Sequence, residues 1–385
     1  MKGKILAGII LFCYLFFNKT SEVFSQEVSE PKATVKEKKD SYWRRLIFGH
    51  IDRTHDRKFD GTFIVAPSYT REASVGIGGM ATGLYRIDRT DSIMPPSNIS
   101  LTGNVSIRGF YSVAFNGNNY FKGNRSRLSY EASFSSKPLN FWGISYEACT
   151  ENPMTKYTRQ QIKVNVVYPY EIINNFYVGA VLNFTHTRII KITDLSYLEG
   201  QKLANTFAGA GLSVQYDSRD FILNPKRGVN LMFQEIIFPK WTGNAGKTLF
   251  RSTVIVNYYQ KLWKGSILAI DVYGEFNYHD VPWAMKEELG NSYRMRGYYA
   301  GRYIDNHIAV CQLEVRQNIY KRFGCAAWVG TGTVFPSFDE LRFSNLLITY
   351  GLGLRLEFKH NVNLRIDYGF GKKTNGFVLN IGEAF

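Results

Sequence analysis

Long apolar runs are the first thing this sequence lacks. Beyond residue 25 no stretch of 18 consecutive apolar residues occurs, so no transmembrane helix is expected. Cysteine is scarce, with four in 385 residues, of which Cys149, Cys311 and Cys325 lie beyond residue 25. Three cannot all pair internally and no CxxC occurs, which argues against a disulfide framework. Cys311 and Cys325 fall on neighbouring expected strands, which leaves a cross-strand bridge open. Catalytic signatures are missing as well: there is no Gly-x-Ser-x-Gly elbow and no HExxH. Gly246-Lys247-Thr248 has Trp241 where a phosphate-binding loop needs glycine. The six histidines are scattered, and His50 and His55 with Asp52 and Asp56 make at best a weak metal set. No enzyme activity, cofactor or metal site is expected.

Aromatic residues are abundant, with 25 Tyr, 28 Phe and 6 Trp beside 34 Gly. This excludes a disordered chain, which needs few aromatics, and a coiled coil, which would be rich in Ala, Glu, Lys and Leu. The charge balance is 47 Lys+Arg against 32 Asp+Glu, or +15. A basic excess can serve nucleic acid, but the N-terminus points to export. Lys2 and Lys4 precede an apolar stretch from Ile5 to Phe17, and Val23-Phe24-Ser25 offers a cleavage site before Gln26. Cys13 sits inside the apolar stretch after Phe12, without the small residue that a lipoprotein signal needs. Residues 1–25 therefore read as a signal peptide, and the basic side chains are expected to meet anionic lipid or to line a lumen. Residues 26–60 are polar and charged. They are too short for an ordinary folded domain and read as a short periplasmic leader.

From Gly61 onward the pattern has a period of two. Phe176, Val178, Ala180, Leu182 and Phe184 share one face. Leu268, Ile270, Val272 and Phe276 alternate with Asp271, Tyr273, Glu275 and Asn277. Ile348, Tyr350, Leu352 and Leu354 alternate with Thr349, Gly351, Gly353 and Arg355. A soluble sandwich would pack such apolar faces together, whereas a membrane barrel turns them to lipid and its charged faces to a wet interior. The apolar bands run about ten residues, the length a tilted strand needs to cross a bilayer. Soluble strands average nearer five or six. The expectation for residues 61–385 is an all-β, 16-stranded antiparallel transmembrane β-barrel. Its segments are 62–69, 74–85, 101–115, 124–136, 140–148, 157–168, 175–188, 205–217, 228–238, 249–262, 266–279, 307–320, 324–335, 346–358, 362–370 and 376–385. Short connections mostly alternate with long ones. The exceptions are 70–73, short where a long loop is allowed, and 86–100, long where a short turn is expected.

Three motifs stand out in this frame. The longest late loop, 280–306, contains Met295-Arg296-Gly297-Tyr298. Asp217-Ser218-Arg219-Asp220 leads to Asn224-Pro225-Lys226-Arg227-Gly228, which is turn chemistry: Pro fixes φ and Gly admits positive φ. The strand after the long loop carries Glu314-Val315-Arg316. Together these residues resemble the Omp85 superfamily of outer-membrane barrels, the bacterial surface antigen D15 or BamA/TamA-like proteins, over about residues 61–385. The resemblance implies that the long extracellular loop folds inward, with Arg296, Gly297 and Tyr298 at its tip and Arg296 held, bidentately, by Glu314. Pairing of Glu314 with Arg316 or Arg355 is the alternative. A second acidic partner is usual on the following strand, but Gly330 stands there, which implies a more mobile loop. Gly330, Gly332, Gly351 and Gly353 are expected to make lumenal room for that loop. Asp217, Arg219, Asp220, Pro225 and Gly228 are expected to form a periplasmic turn. Phe377, Leu379, Ile381 and Phe385 are expected to point outward as the C-terminal strand signal.

The resemblance further implies a bacterial outer-membrane location and a role in outer-membrane protein assembly or translocation, through a weak seam between the first and last strands. The expected partners are outer-membrane lipids, unfolded outer-membrane proteins or an envelope complex, and no nucleic acid. No periplasmic POTRA domain fits residues 26–60. Two alternatives use the same shell: an outer-membrane pore or transporter, and a structural partner barrel without insertase activity.

Overall fold

The computed structural model describes residues 58–90, 96–222, 224–243, 245–359 and 362–385. The expected signal segment, nearly all of the leader, and His50, Asp52, His55 and Asp56 lie outside the described residues. The chain runs through β1 (Asp60–Thr70), β2 (Ser74–Tyr85), β3 (Ser97–Ser106), β4 (Tyr111–Tyr120) and β5 (Arg127–Phe141). A short helix, α1 (Tyr146–Glu151), leads to β6 (Thr155–Ile173) and β7 (Phe176–Ile192). Then follow β8 (Ala204–Asp217), β9 (Gly228–Phe238), β10 (Leu249–Lys261) and β11 (Ser266–Tyr278). The inserted segment 279–306 carries a two-stranded ribbon, β12 (Glu287–Leu289) on β13 (Tyr303–Asp305). The chain closes with β14 (His307–Tyr320), β15 (Phe323–Phe335), β16 (Leu347–Lys359), β17 (Val362–Gly371) and β18 (Thr374–Ile381).

Leaving out β12 and β13, the strands form one sixteen-stranded antiparallel sheet in simple sequence order, with β1 and β18 at its two edges. No backbone ladder joins those edges among the described residues. They approach through side chains instead: Tyr69 of β1 meets Phe377 of β18 edge-on, with centroids 5.7 Å apart.

Burial is inverted relative to a water-soluble protein. On β16 Leu352 is 69% and Leu354 61% exposed, while Thr349 is fully buried and Arg355 5% exposed. On β14 Leu313 is exposed, whereas Gln312, Glu314 and Arg316 are buried. On β17 Tyr368 and Phe370 are exposed, whereas Arg365 and Asp367 are buried. Such an apolar outer face is stable only against lipid, so period-two alternation becomes lipid-out, charge-in. The interior is filled by the inserted segment: Trp283, Leu289, Met295, Tyr298, Tyr303 and Ile304 pack against Phe141, Tyr157, Ile308, Val334 and Leu347 of the wall.

The front of the barrel departs from the expected boundaries. The segment 101–115 is two strands, because Arg108-Gly109 makes a tight turn between β3 and β4 with Gly109 at φ 79°. The segments 124–136 and 140–148 are one strand, β5, followed by α1. Lys137-Pro138 reads as a break, yet Pro138 stays in register opposite Thr158. It lies beyond Ser136, where the β4 ladder ends, so its missing N–H costs no bond on that side. β6 likewise runs through Pro169 to Ile173, because Gly179 stands opposite; a Cβ there would lie 2.7 Å from the Pro169 Cα. Cys311 and Cys325 are free. They sit on adjacent strands, but Cys311 faces Thr331 and Cys325 faces Gln317, well out of register for a bridge. The connection 71–73 is short and 86–96 long, the reverse of a strict alternation.

Charge on the outer face tests this reading. Leu352→Arg is expected to lower the unfolding free energy of the barrel refolded in lipid vesicles by roughly 2–4 kcal/mol, measured by denaturant titration. Leu352→Thr is expected to cost far less.

Candidate functional site: a buried charge cluster under the inserted segment

The tip of the inserted segment is held by backbone strain and close approach together. Met295 has φ 51° and Gly297 φ 107°. Only glycine accepts the latter cheaply, and a Cβ on Gly297 would also lie 2.7 Å from the Gly369 carbonyl carbon. This turn drives Arg296 into the wall, where it is fully buried.

Arg296 is shared between two acids. Its Nη2 lies 2.6 Å from Glu314 Oε2 on β14, and its Nη1 donates to Asp367 Oδ2 on β17 at 2.7 Å. Its guanidinium also stacks 3.7 Å from the Trp328 ring. The Arg296–Glu314 contact is therefore single, not the expected bidentate fork. The other Glu314 oxygen takes Arg316 Nε at 2.7 Å and lies 3.5 Å from Arg355. The alternative pairings of Glu314 thus coexist with Arg296. Arg355 donates to Asp367 at 2.6 Å and to Glu383 at 2.8 Å, and Arg365 donates to Asp367 at 3.0 Å. Such charges are tolerable in a dry interior only because each is paired and hydrogen-bonded.

Gly330 does not leave the site short of an acid. The second carboxylate comes from Asp367, two strands further on, which the spacing around Arg296 did not indicate. Gly330 instead makes room for Gln312, whose Oε1 accepts the Met295 N–H at 3.2 Å. Gly332 faces Met295, Gly351 faces Trp328, and Gly353 faces Asp367 and Arg355. The glycines that admit the loop backbone are Gly369, 2.5 Å from the Arg296 carbonyl oxygen for a built Cβ, and Gly371 against the Tyr298 ring. The Gly-Phe-Gly run on β17 was the available signal for them. Tyr298 donates to the Ile348 carbonyl at 2.9 Å and accepts the Lys372 N–H at 2.8 Å.

A second ion pair escaped the motif reading. Arg294 grips Asp271 of β11 with both Nε (2.7 Å) and Nη2 (2.9 Å), and stacks 4.0 Å from Tyr273. Asp271 also accepts from Asn257 at 2.7 Å, and Asn257 from Asn230 at 2.9 Å. The loop is thus pinned to both β11 and β17.

The chain end differs from the expected strand signal. β18 ends at Ile381, whose backbone pairs with Leu364. Gly382 then turns at φ 87°, and Glu383 and Ala384 are buried. Phe385 points inward, not outward. Its carbonyl accepts from Arg316 at 2.9 Å and its ring lies under the same guanidinium. The charge of Glu383 draws it there. Of the four residues, Phe377 packs on Tyr69 at the strand edges and Leu379 is half-buried.

The turn 218–227 assembles as its residues suggest. Asp217 takes Arg219 at 2.8 Å through both oxygens, and Asp220 Oδ1 accepts the Lys226 N–H at 2.8 Å. Pro225 is buried and Gly228 has φ 110°, with Ser218 too close to admit a side chain.

Within the inserted segment, burial pushes the Glu287 carboxyl up to about 8, the nearby Glu275 adding to it and Arg251 opposing it. Glu288, equally buried, is held below the usual range by its partner Arg159.

The fold and this interior define a class: a lipid-facing antiparallel β-barrel whose lumen is occupied by one of its own loops. Residues 96–385 match the Omp85 superfamily domain, and the chain belongs to that superfamily of outer-membrane barrels. Among solved structures it is similar to BamA from Haemophilus ducreyi lacking POTRA domains 1–3, with 11% identity over 84% of this chain and 70% of that one, TM-score 0.58. It is also similar to CdiB from Acinetobacter baumannii (13% identity, 84% of this chain, 60% of that one, TM-score 0.55). CdiB from Escherichia coli matches at 10% identity, over 84% of this chain and 62% of that one, TM-score 0.57. The chain thus spans less than two thirds of either CdiB. No curated protein sequence matches it.

Two outcomes test the site. Arg296→Ala leaves Glu314 and Asp367 buried without their shared cation. It is expected to destabilise the loop–wall contact by roughly 3–5 kcal/mol, read as protease cleavage within 279–306 while the barrel resists. Arg296→Lys, which cannot fork to two carboxylates, is expected to recover only part. The raised Glu287 carboxyl contributes stability that is full below its ordinary 4.5 and lost as pH rises through about 8. Loop protection is expected to fall between pH 5 and 9, and Glu287→Gln is expected to flatten that profile.

Proposed function

We propose that this protein assembles or translocates outer-membrane polypeptides, admitting them at the seam between β1 and β18, with the inserted segment as the element that controls the seam. The observation that carries the reading is a three-way contact. The Gly297 carbonyl accepts from Arg71 of the β1–β2 hairpin at 3.1 Å and from Thr374 of β18 at 3.0 Å. Arg71 also donates to Thr374 at 2.6 Å, and Glu72 accepts the Ala300 N–H at 3.0 Å. The two unladdered edges are thus stitched together through the loop tip. A sheet edge left without a ladder is a ready template for another strand. A lumen filled by packed side chains and a paired charge cluster argues against a standing open pore. The role is non-enzymatic, in the outer membrane, with unfolded outer-membrane proteins or an envelope complex as partners. The signal at 1–25, the short leader at 26–60 and the barrel from 61 belong to the same proposal.

The test is a reversible staple. Tyr69→Cys with Phe377→Cys places two thiols at the meeting of the edges. Oxidation is expected to abolish assembly of newly made outer-membrane proteins in cells, and reduction to restore it. Activity unchanged by the closed disulfide would sink the seam mechanism. Arg71→Ala is expected to raise seam opening, read as faster cross-linking of cysteines placed on β1 to an incoming strand.

A further inference from the structure

The arginines under the loop are paired, but those at the opposite mouth are not. At the end of the barrel that carries the inserted segment lies a cavity of about 640 Å3, within the range of small-ligand sites. Five cations line it: Arg71, Arg108, Arg302, Lys372 and Lys373. None has a carboxylate partner among the described residues. Two acids nearby are turned to backbone instead, Glu72 to the Ala300 N–H and Asp305 to the Tyr146 and Asn306 N–H groups. Arg302 is held flat between aromatic rings, 4.6 Å from Trp142 and 4.9 Å from Tyr303, and it donates to the Cys149 carbonyl. Two hairpins, an intervening helix and the inserted segment thus bring cations and aromatic faces together.

We propose that this vestibule binds the phosphorylated sugar headgroup of an outer-leaflet glycolipid. The chemistry sets the class: guanidinium and ammonium groups fit phosphate, and exposed aromatic faces fit the apolar faces of sugars. The position selects a lipid over a soluble anion. Tyr69 lines the cavity and also packs on Phe377 at the seam, so a headgroup in the cavity has its acyl chains beside the outer face, where Val75 and Ile77 are exposed. Long loops mark this end as the outward one in barrels of this type. Arg71 joins the vestibule to the Gly297–Thr374 contact, so a bound headgroup competes for the side chain that stitches the seam. This site goes beyond the assembly role and does not depend on it.

The experiment uses the full purified chain in zwitterionic nanodiscs, with native mass spectrometry as the readout. Bis-phosphorylated lipid A is expected to bind at least about tenfold more tightly than its dephosphorylated form, the scale of one or two charge-assisted hydrogen bonds. Lys372→Gln with Lys373→Gln, both exposed and outside the core, is expected to weaken binding severalfold, and Arg302→Gln further. Lys240→Gln, on another loop, is expected to change nothing. Retained heat-modifiability on gels shows that each variant folds. Equal binding of the dephosphorylated glycolipid overturns the proposal. So does inorganic phosphate displacing lipid A at similar concentration, which would make the ligand a free ion, and so does an acidic peptide outcompeting both.

Discussion

Everything inside this barrel depends on one buried cation. Arg296 is fully enclosed, and an unpaired guanidinium there would cost several kcal/mol in lost hydration. Glu314 and Asp367 meet it from strands that are not neighbours, so the pair works only when β14 and β17 curl to face each other across the loop tip. The acids in turn would be untenable without Arg316, Arg355 and Arg365. Four arginines thus sit against Glu314, Asp367 and Glu383. The surplus positive charge is met by the Trp328 ring and by the carbonyls of Ser292 and Phe385. No member can be removed alone without orphaning another.

That mutual dependence ties together three mobile-by-design parts. The loop enters through Arg296, the chain end through Glu383, and both reach the same two wall arginines, Arg316 and Arg355. Gly297, one residue beyond Arg296, carries the carbonyl on which Arg71 and Thr374 converge. Any displacement of the loop tip therefore changes the hydrogen bonding of both sheet edges, and any withdrawal of the chain end weakens the pocket of Arg296. The coupling runs through a chain of direct contacts, each of which has a discrete made or broken state.

The sequence made the barrel legible because period-two alternation survives wherever one face meets lipid and the other meets charge. Strands from β8 onward kept nearly the expected limits. The front failed for local reasons. Arg108-Gly109 turns without proline, so β3 and β4 read as one strand. Pro138 sits beyond its neighbour's ladder, so β5 read as two. Of the charge cluster, Arg296 and Glu314 were legible because a short motif marks each. Asp367 and the Arg294–Asp271 pair were not, because strands far apart in the chain become neighbours of the loop only when the sheet closes on it. Phe385 was misread for a related reason: alternation assigns it outward, but Gly382 breaks the strand and Glu383 finds an arginine inside.

The placement of unpaired charge completes the physical picture. A dry interior forces every guanidinium near Arg296 to find a carboxylate, and they do. The outer mouth is wet, so Arg71, Arg108, Arg302, Lys372 and Lys373 remain without carboxylates at little cost to stability. Salt and water screen such charges, so stability alone gives no reason to gather five of them around aromatic faces beside the seam. A basic excess spread for solubility would be scattered over the loops, with acids interleaved. Here it is concentrated where the inserted segment, both edge strands and the lipid boundary meet. Only an anion arriving from outside gives that arrangement a consequence, because it would draw on Arg71, the side chain that otherwise holds Gly297 and Thr374 together.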